Sequence, residues 1–331
     1  MDRAADTRAE LFYMDRSGSG VLRGVAILLV LLGHTGIVRM GGAGGVALFL
    51  LLSGYGLNSS CEQRGLGDYW RRRVRKVWLP YLFVGVLDVF VLKARGAGAI
   101  LCTLLGLDLG LHADPTMWYI SYIFFWYLAY WLLARLVEGA AEPRRRRAYL
   151  LAGLFLACVP CVLLCRLGFW HTGSLAKTYV ACFPLGVLMS CCRAYKTTRT
   201  LRAGFWTAVG LGCAAYLCLP CLGIMDLTYL TALSMAGLAV AAVQLTQPRG
   251  LPEKLLGGVG EYAYALYLFE GLFLPSWRRW TAQGVPLWAA DLGFFAATAV
   301  CAVLYRKLYR AIEKRLAVCY NRDKNDTERS T

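Results

Sequence analysis

Ten apolar runs, each long enough to cross a bilayer, constrain this chain more than any single residue does. They cover residues 21–38, 44–60, 77–93, 117–137, 148–167, 177–193, 204–222, 227–246, 258–275 and 285–307. A helix needs about 17–25 predominantly apolar residues to span hydrocarbon. In lipid the backbone must satisfy its own hydrogen bonds, so runs of this length predict helices. The expected fold is all-α, a polytopic integral membrane protein with about ten transmembrane helices. Composition agrees, with 58% hydrophobic and 17% charged residues. Soluble domains carry about 25% charged residues and cannot hide this much apolar surface.

The formal net charge of +16 reads as topology. Basic residues fall in short clusters between the runs and do not line one face of a soluble module, so no nucleic-acid partner is expected. With ten crossings and a cytosolic N-terminus, 29 of the 36 Lys and Arg lie inside and 7 outside. The inner set includes "RGLGDYWRRRVRK", "RRRR" at 144–147, "RAYKTTRTLR" and the C-terminal tail. The short run 97–112 is rich in glycine and interrupted by Asp108 and His112. Counting it as a crossing would put the four arginines outside, against the positive-inside rule. It is therefore expected to be interfacial or re-entrant, and both termini are expected to be cytosolic.

Three regions follow: a cytosolic segment 1–20, a membrane domain 21–307 and a basic, polar cytosolic tail 308–331, too short for a folded domain. No cleavage site of the secretory kind follows the first run, so it is expected to be retained. Most of the thirteen cysteines lie inside apolar runs, where they act as small hydrophobes. "CVPC" (Cys158, Cys161) and "CLPC" (Cys218, Cys221) have metal-ligand spacing but sit in apolar helices beside proline, and no metal site is expected.

Ionisable residues inside such runs need a reason to be there. In "VLRGVAILLVLLGHTG", Arg23 and His34 are eleven residues apart, about three helical turns, so they share one face roughly 16 Å apart along the axis. Arg23 falls at the cytosolic edge, as a snorkelling anchor or a functional cation. His34 lies beyond the midplane, where an imidazole can bond another helix or move protons and acyl groups. In "YWRRRVRKVWLPY", Arg72 and Arg75 are spaced to grip phosphate from one face, or to anchor at lipid headgroups. Ser53, with Gly54 and Gly56 in "LLSGYG", marks either helix packing or close approach of backbone to a ligand. Glu270 in "YALYLFEGLF" requires compensation or protonation, with His34 or an outer arginine such as Arg278 as partner. Asp88, Asp226, Glu261 and Asp291 are the other acids in or beside runs. His112 and His171 read as ordinary exposed histidines.

Together these stretches resemble acyltransferase family 3, the integral membrane O-acyltransferases of bacterial surface glycans. The resemblance is carried in order by "LRGVAILLVLLGH", "ALFLLLSGYGL", "YWRRRVRKVWLPY", "MWYISYIFFWYL" at 117–128 and "GEYAYALYLFEGLF" at 260–273. It implies about ten helices enclosing a channel-like site in the bacterial cytoplasmic (inner) membrane. It also implies acyl transfer, usually acetyl, from cytosolic acyl-CoA (acetyl-CoA) to a hydroxyl of a cell-surface glycan or its lipid-linked precursor. Acyl-CoA is then a donor substrate, with no permanently bound cofactor; the glycan acceptor and membrane lipids are the other partners. By this resemblance His34 is the catalytic histidine, as general base or acyl carrier, and Arg23 supports it or the donor. Arg72 and Arg75 match the family's Arg-x-x-Arg and hold the donor's phosphates. The chain departs where Glu270 and Ala263 stand, positions at which relatives often have histidine and serine. A transporter or flippase is the alternative that ten helices and a buried histidine would also serve.

Overall fold

The computed structural model describes residues 13–38, 41–140, 142–170, 177–193, 198–218 and 250–330, with Gly237 and Val240. Most of the run 227–246, with Asp226, His171 and Cys221, lies outside the described residues. Helix dominates: α1 (Arg16–His34), α2 (Gly41–Arg64), α3 (Tyr69–Arg73), a π-helical segment (Val74–Trp78), α4 (Leu79–Val91), α5 (Ala97–Leu105), α6 (Trp118–Leu136), α7 (Pro143–Leu156), α8 (Cys158–Arg166), α9 (Cys182–Cys191), α10 (Arg199–Cys218), α11 (Leu251–Ala282) and α12 (Leu287–Ser330). Five stretches among the described residues are long and apolar enough to cross a membrane: Arg16–His34, Gly41–Arg64, Pro115–Leu136, Pro143–Arg166 and Leu287–Ile312. The chain forms two compact units, Met1–Ala263 and Tyr264–Thr331.

Glycine sets the packing of the first unit. Along the antiparallel α1–α2 pair, a Cβ on Gly45 would come within 2.5 Å of the Ala26 carbonyl, and one on Gly33 would overlap the backbone at Gly42. On the other face of α2, a Cβ on Gly54 would overlap the Phe183 carbonyl, and one on Gly186 the Leu51 carbonyl. Without a hydrophobic driving force in lipid, close backbone approach of this kind is what holds helices together. Around α2 the core is aromatic, with Trp126 stacked on Phe183 at 5.4 Å and Tyr69 on Tyr130 at 6.3 Å.

Polar contacts gather the basic helix ends at one end of this unit. Glu62, near the end of α2, binds Arg147 at 3.2 Å and Arg193 at 2.8 Å. Buried Asn58 donates to Ser190 Oγ at 3.1 Å and accepts from Tyr130 Oη at 2.9 Å. Arg72 donates to the Gly65 carbonyl at 3.0 Å. At the opposite end, Trp170 Nε1 donates to Ser121 Oγ at 2.9 Å and Trp118 stacks on Tyr179 at 6.1 Å.

The short run 97–112 contains α5, a helix of 9 residues, or about 13 Å, less than half the hydrocarbon thickness. Gly106, at φ +70°, ends it in the left-handed region, as glycine permits. It lies beside α4: a Cβ on Gly85 would stand 3.2 Å from the Thr103 carbonyl, and one on Gly106 3.1 Å from the Tyr81 ring. His112 is half-buried here, in place of the exposed position expected. Its Nδ1 accepts from the Asp114 N–H at 3.0 Å, so in the neutral ring Nε2 carries the proton and donates to Tyr81 Oη at 2.7 Å. Tyr81 in turn donates to the Thr103 carbonyl.

The second unit is the end of α11 packed with α12. Trp277 Nε1 donates to Asp291 Oδ1 at 2.8 Å, Phe269 meets Tyr305 at 5.5 Å, and a Cβ on Gly293 would lie 3.0 Å from the Trp280 ring.

Candidate active site

The site expected from sequence begins on α1, which starts five residues before its apolar run. Asp15 caps it, its Oδ1 accepting from the Gly18 N–H at 2.6 Å. Gly and Ser in the first turn hide this start from a reading based on hydrophobic periodicity, because both are weak helix formers. Arg23 is consequently two turns inside the helix and not at its first turn. Its Nε donates to the Ser19 carbonyl at 3.2 Å.

Gly24 explains what surrounds Arg23. A Cβ there would overlap the Leu256 carbonyl of α11, and a Cβ on Gly260 would overlap the Gly20 carbonyl. The two backbones therefore touch, and Glu261, next to Gly260, is the acidic group whose charge acts on Arg23. Ser17 donates to Glu253 on the same pair of helices. Glu261 carried no role in the sequence reading; the matching glycines at 20, 24 and 260 were its signal.

His34 is the last residue of α1. Gly36, at φ +78°, turns the chain out of the helix, its N–H bonding the Gly33 carbonyl at 3.2 Å. Thr35 Oγ1 closes the last turn on the Leu32 carbonyl at 3.3 Å. The imidazole is half-buried with Nδ1 in the packed interior. An unbroken helix from Arg16 to His34 puts Arg23 and His34 on one stripe, as the eleven-residue spacing requires.

Ser53 is half-buried on α2 and shares a 3.4 Å hydrogen bond with Tyr119 Oη. Tyr127 is the next link, within electrostatic reach of both Ser53 and Arg73. The Arg73 guanidinium stands 5.3 Å from the Tyr127 ring and 5.9 Å from the Tyr69 ring, at cation–π distance. Arg73 thus points inward from the basic cluster, a position that sequence spacing did not single out.

Arg72 and Arg75 differ in setting. Arg72 belongs to α3 and is half-buried against Gly65, whereas exposed Arg75 lies in the π-helical segment. A π segment inserts an extra residue into the helical register and recurs at functional sites. The pair thus stands on either side of a change of register, not on one regular helical face. Glu270 belongs to the second unit and is completely buried, as is Thr298.

The family model for an acyltransferase domain, family 3, matches residues 16–306, nearly the whole chain. The chain belongs to this acyltransferase family. No curated protein and no solved structure matches it. In this membrane acyltransferase the matched region begins at Arg16, the first residue of α1, and ends beside Tyr305, which packs on Phe269. It therefore contains Arg23, His34, Ser53, Arg72, Arg75 and Glu270.

Proposed function

We propose that this acyltransferase moves an acetyl group from cytosolic acetyl-CoA to a hydroxyl of a cell-surface glycan or its lipid-linked precursor. It would cross the bacterial cytoplasmic membrane ten times, with both termini cytosolic. The observation that carries the reading is the unbroken α1, which sets Arg23 and His34 on one stripe about three turns apart. Arg72 and Arg75 bind the nucleotide phosphates of the donor from the basic end. The pantetheine arm runs along the helix toward His34.

His34 acts as general base. Nδ1 faces the packed interior, so Nε2 takes the proton of the acceptor hydroxyl. The hydroxyl oxygen attacks the thioester carbonyl, the new ester bond forms, the carbon–sulfur bond breaks, and CoA leaves as the thiolate. The imidazolium returns its proton to that sulfur. The carbonyl ends of α1, directly beside His34, stabilise the transient positive charge. Arg23 steadies the donor, and Ser53 supports the lining.

The test uses membranes containing wild type or His34→Ala and radiolabelled acetyl-CoA. Labelled glycan is expected from wild type, with a fall of at least about 10²-fold in the variant, the usual contribution of a positioned base. Equal labelling in both would overturn the reading. Label trapped covalently on His34 would replace the general base by an acyl carrier.

A further inference from the structure

An apolar groove of about 640 Å³ runs between the Trp70–Trp78 stretch, α6 and α8. Its volume is that of a small-ligand site, about 300–1,000 Å³. Trp70, Val74 and Trp78, four residues apart, form one wall; Phe124, Phe125 and Leu128 of α6 form the other. That α6 wall is a different stripe from Tyr119 and Tyr127, which turn toward Ser53. The groove is therefore separate from the path between Ser53 and Arg73. Leu128 is 44% exposed, so the groove opens onto the surface of the unit, which in a membrane is lipid.

Its chemistry narrows the occupant. Among the described residues Ser121 supplies the one hydroxyl of the lining, and both its functions are taken: it accepts from Trp170 at 2.9 Å and donates to the Trp118 carbonyl at 3.2 Å. Aromatic rings and leucines otherwise surround the space, which suits hydrocarbon and not a sugar or nucleotide. Arg71 follows a wall residue, Trp70, by one position and is exposed. Apolar slot and flanking Arg71 guanidinium together match a lipid with a phosphate and an uncompensated negative charge. Basic pockets between helices are where anionic headgroups bind.

We propose that the groove seats one acyl chain of an anionic phospholipid, with the lipid phosphate on Arg71. Val74 and Trp78 belong to the π-helical segment, so the seated chain braces the stretch that presents Arg72 and Arg75. This lipid site goes beyond the acyl-transfer reading and stands or falls without it.

The full-length protein, purified in mild detergent, is offered phosphatidylglycerol or phosphatidylcholine with identical chains. Bound lipid is counted by native mass spectrometry, a readout that needs no acyl transfer. One phosphatidylglycerol per chain is expected. Arg71→Gln, a change at an exposed position, should reduce the preference for the anionic lipid by about fivefold. Leu128→Trp, which fills the groove, should remove both lipids while the melting temperature stays within a few degrees. Equal retention of the two lipids by wild type would overturn the proposal, as would an unchanged preference in Arg71→Gln. So would displacement of phosphatidylglycerol by a polyprenyl phosphate, or a wild-type dimer that Leu128→Trp splits.

Discussion

At the scale of single residues, Gly24 and His112 show how position overrides type. Gly24 permits α11 to touch α1, and a methyl group there would overlap the Leu256 carbonyl. Backbone cannot rotate away as a flexible side chain can, so the helices must separate. Gly24→Ala should destabilise the protein by about 1–3 kcal/mol, the usual cost of overpacking. Gly42→Ala, with open space around its Cβ, should be close to neutral; thermal melts in detergent separate the two. His112 responds to pH. Burial pushes its imidazole down to about 4, against an opposing pull from Asp108. The folded protein therefore holds His112 neutral, and its contribution to stability is fully present above the unfolded value near 6.5. That contribution fades as pH falls toward 4, when protonated Nδ1 can no longer accept from the Asp114 N–H. The melting temperature should fall from pH 7 to pH 5, and His112→Gln should flatten that slope.

At the scale of elements, the basic stretch 71–76 divides its labour by helical register. Arg73 turns inward onto Tyr69 and Tyr127, whereas Arg75 is exposed in the π-helical segment. Removing the first should cost stability, and removing the second should cost donor binding. Arg75→Ala is expected to raise KM for acetyl-CoA by roughly tenfold, the loss of one charge-assisted bond to phosphate, with kcat little changed. Arg73→Ala is expected to lower the melting temperature before it alters KM. Steady-state kinetics paired with melts read both, and a rise in KM confined to Arg73→Ala would reverse the assignment.

For the whole molecule, the ion pairs and hydrogen bonds of the first unit gather Glu62, Arg72, Arg147 and Arg193 at one end. A membrane imposes sidedness on such an end. Single cysteines placed at Arg145 and at Leu109, in a cysteine-free background, should differ in reactivity toward an impermeant maleimide. The first is expected to react only after the membrane is opened, and the second in intact cells. The opposite pattern would invert the orientation drawn from charge.

Hydrophobic length and charge order are local properties, and the sequence alone settled what depends on them. It specified helices, a membrane environment, and Arg23 and His34 on one face, since one unbroken helix fixes that face. Contacts between distant segments are not written in any window. The partnership of Arg23 with Glu261 depends on Gly24 meeting Gly260 across more than two hundred residues. The inward turn of Arg73 depends on Tyr127 of α6, and the separation of Arg72 from Arg75 on a π turn that spacing does not announce. Packing at backbone distance decided these, because only there do glycines, rings and charges from remote helices compete for the same space.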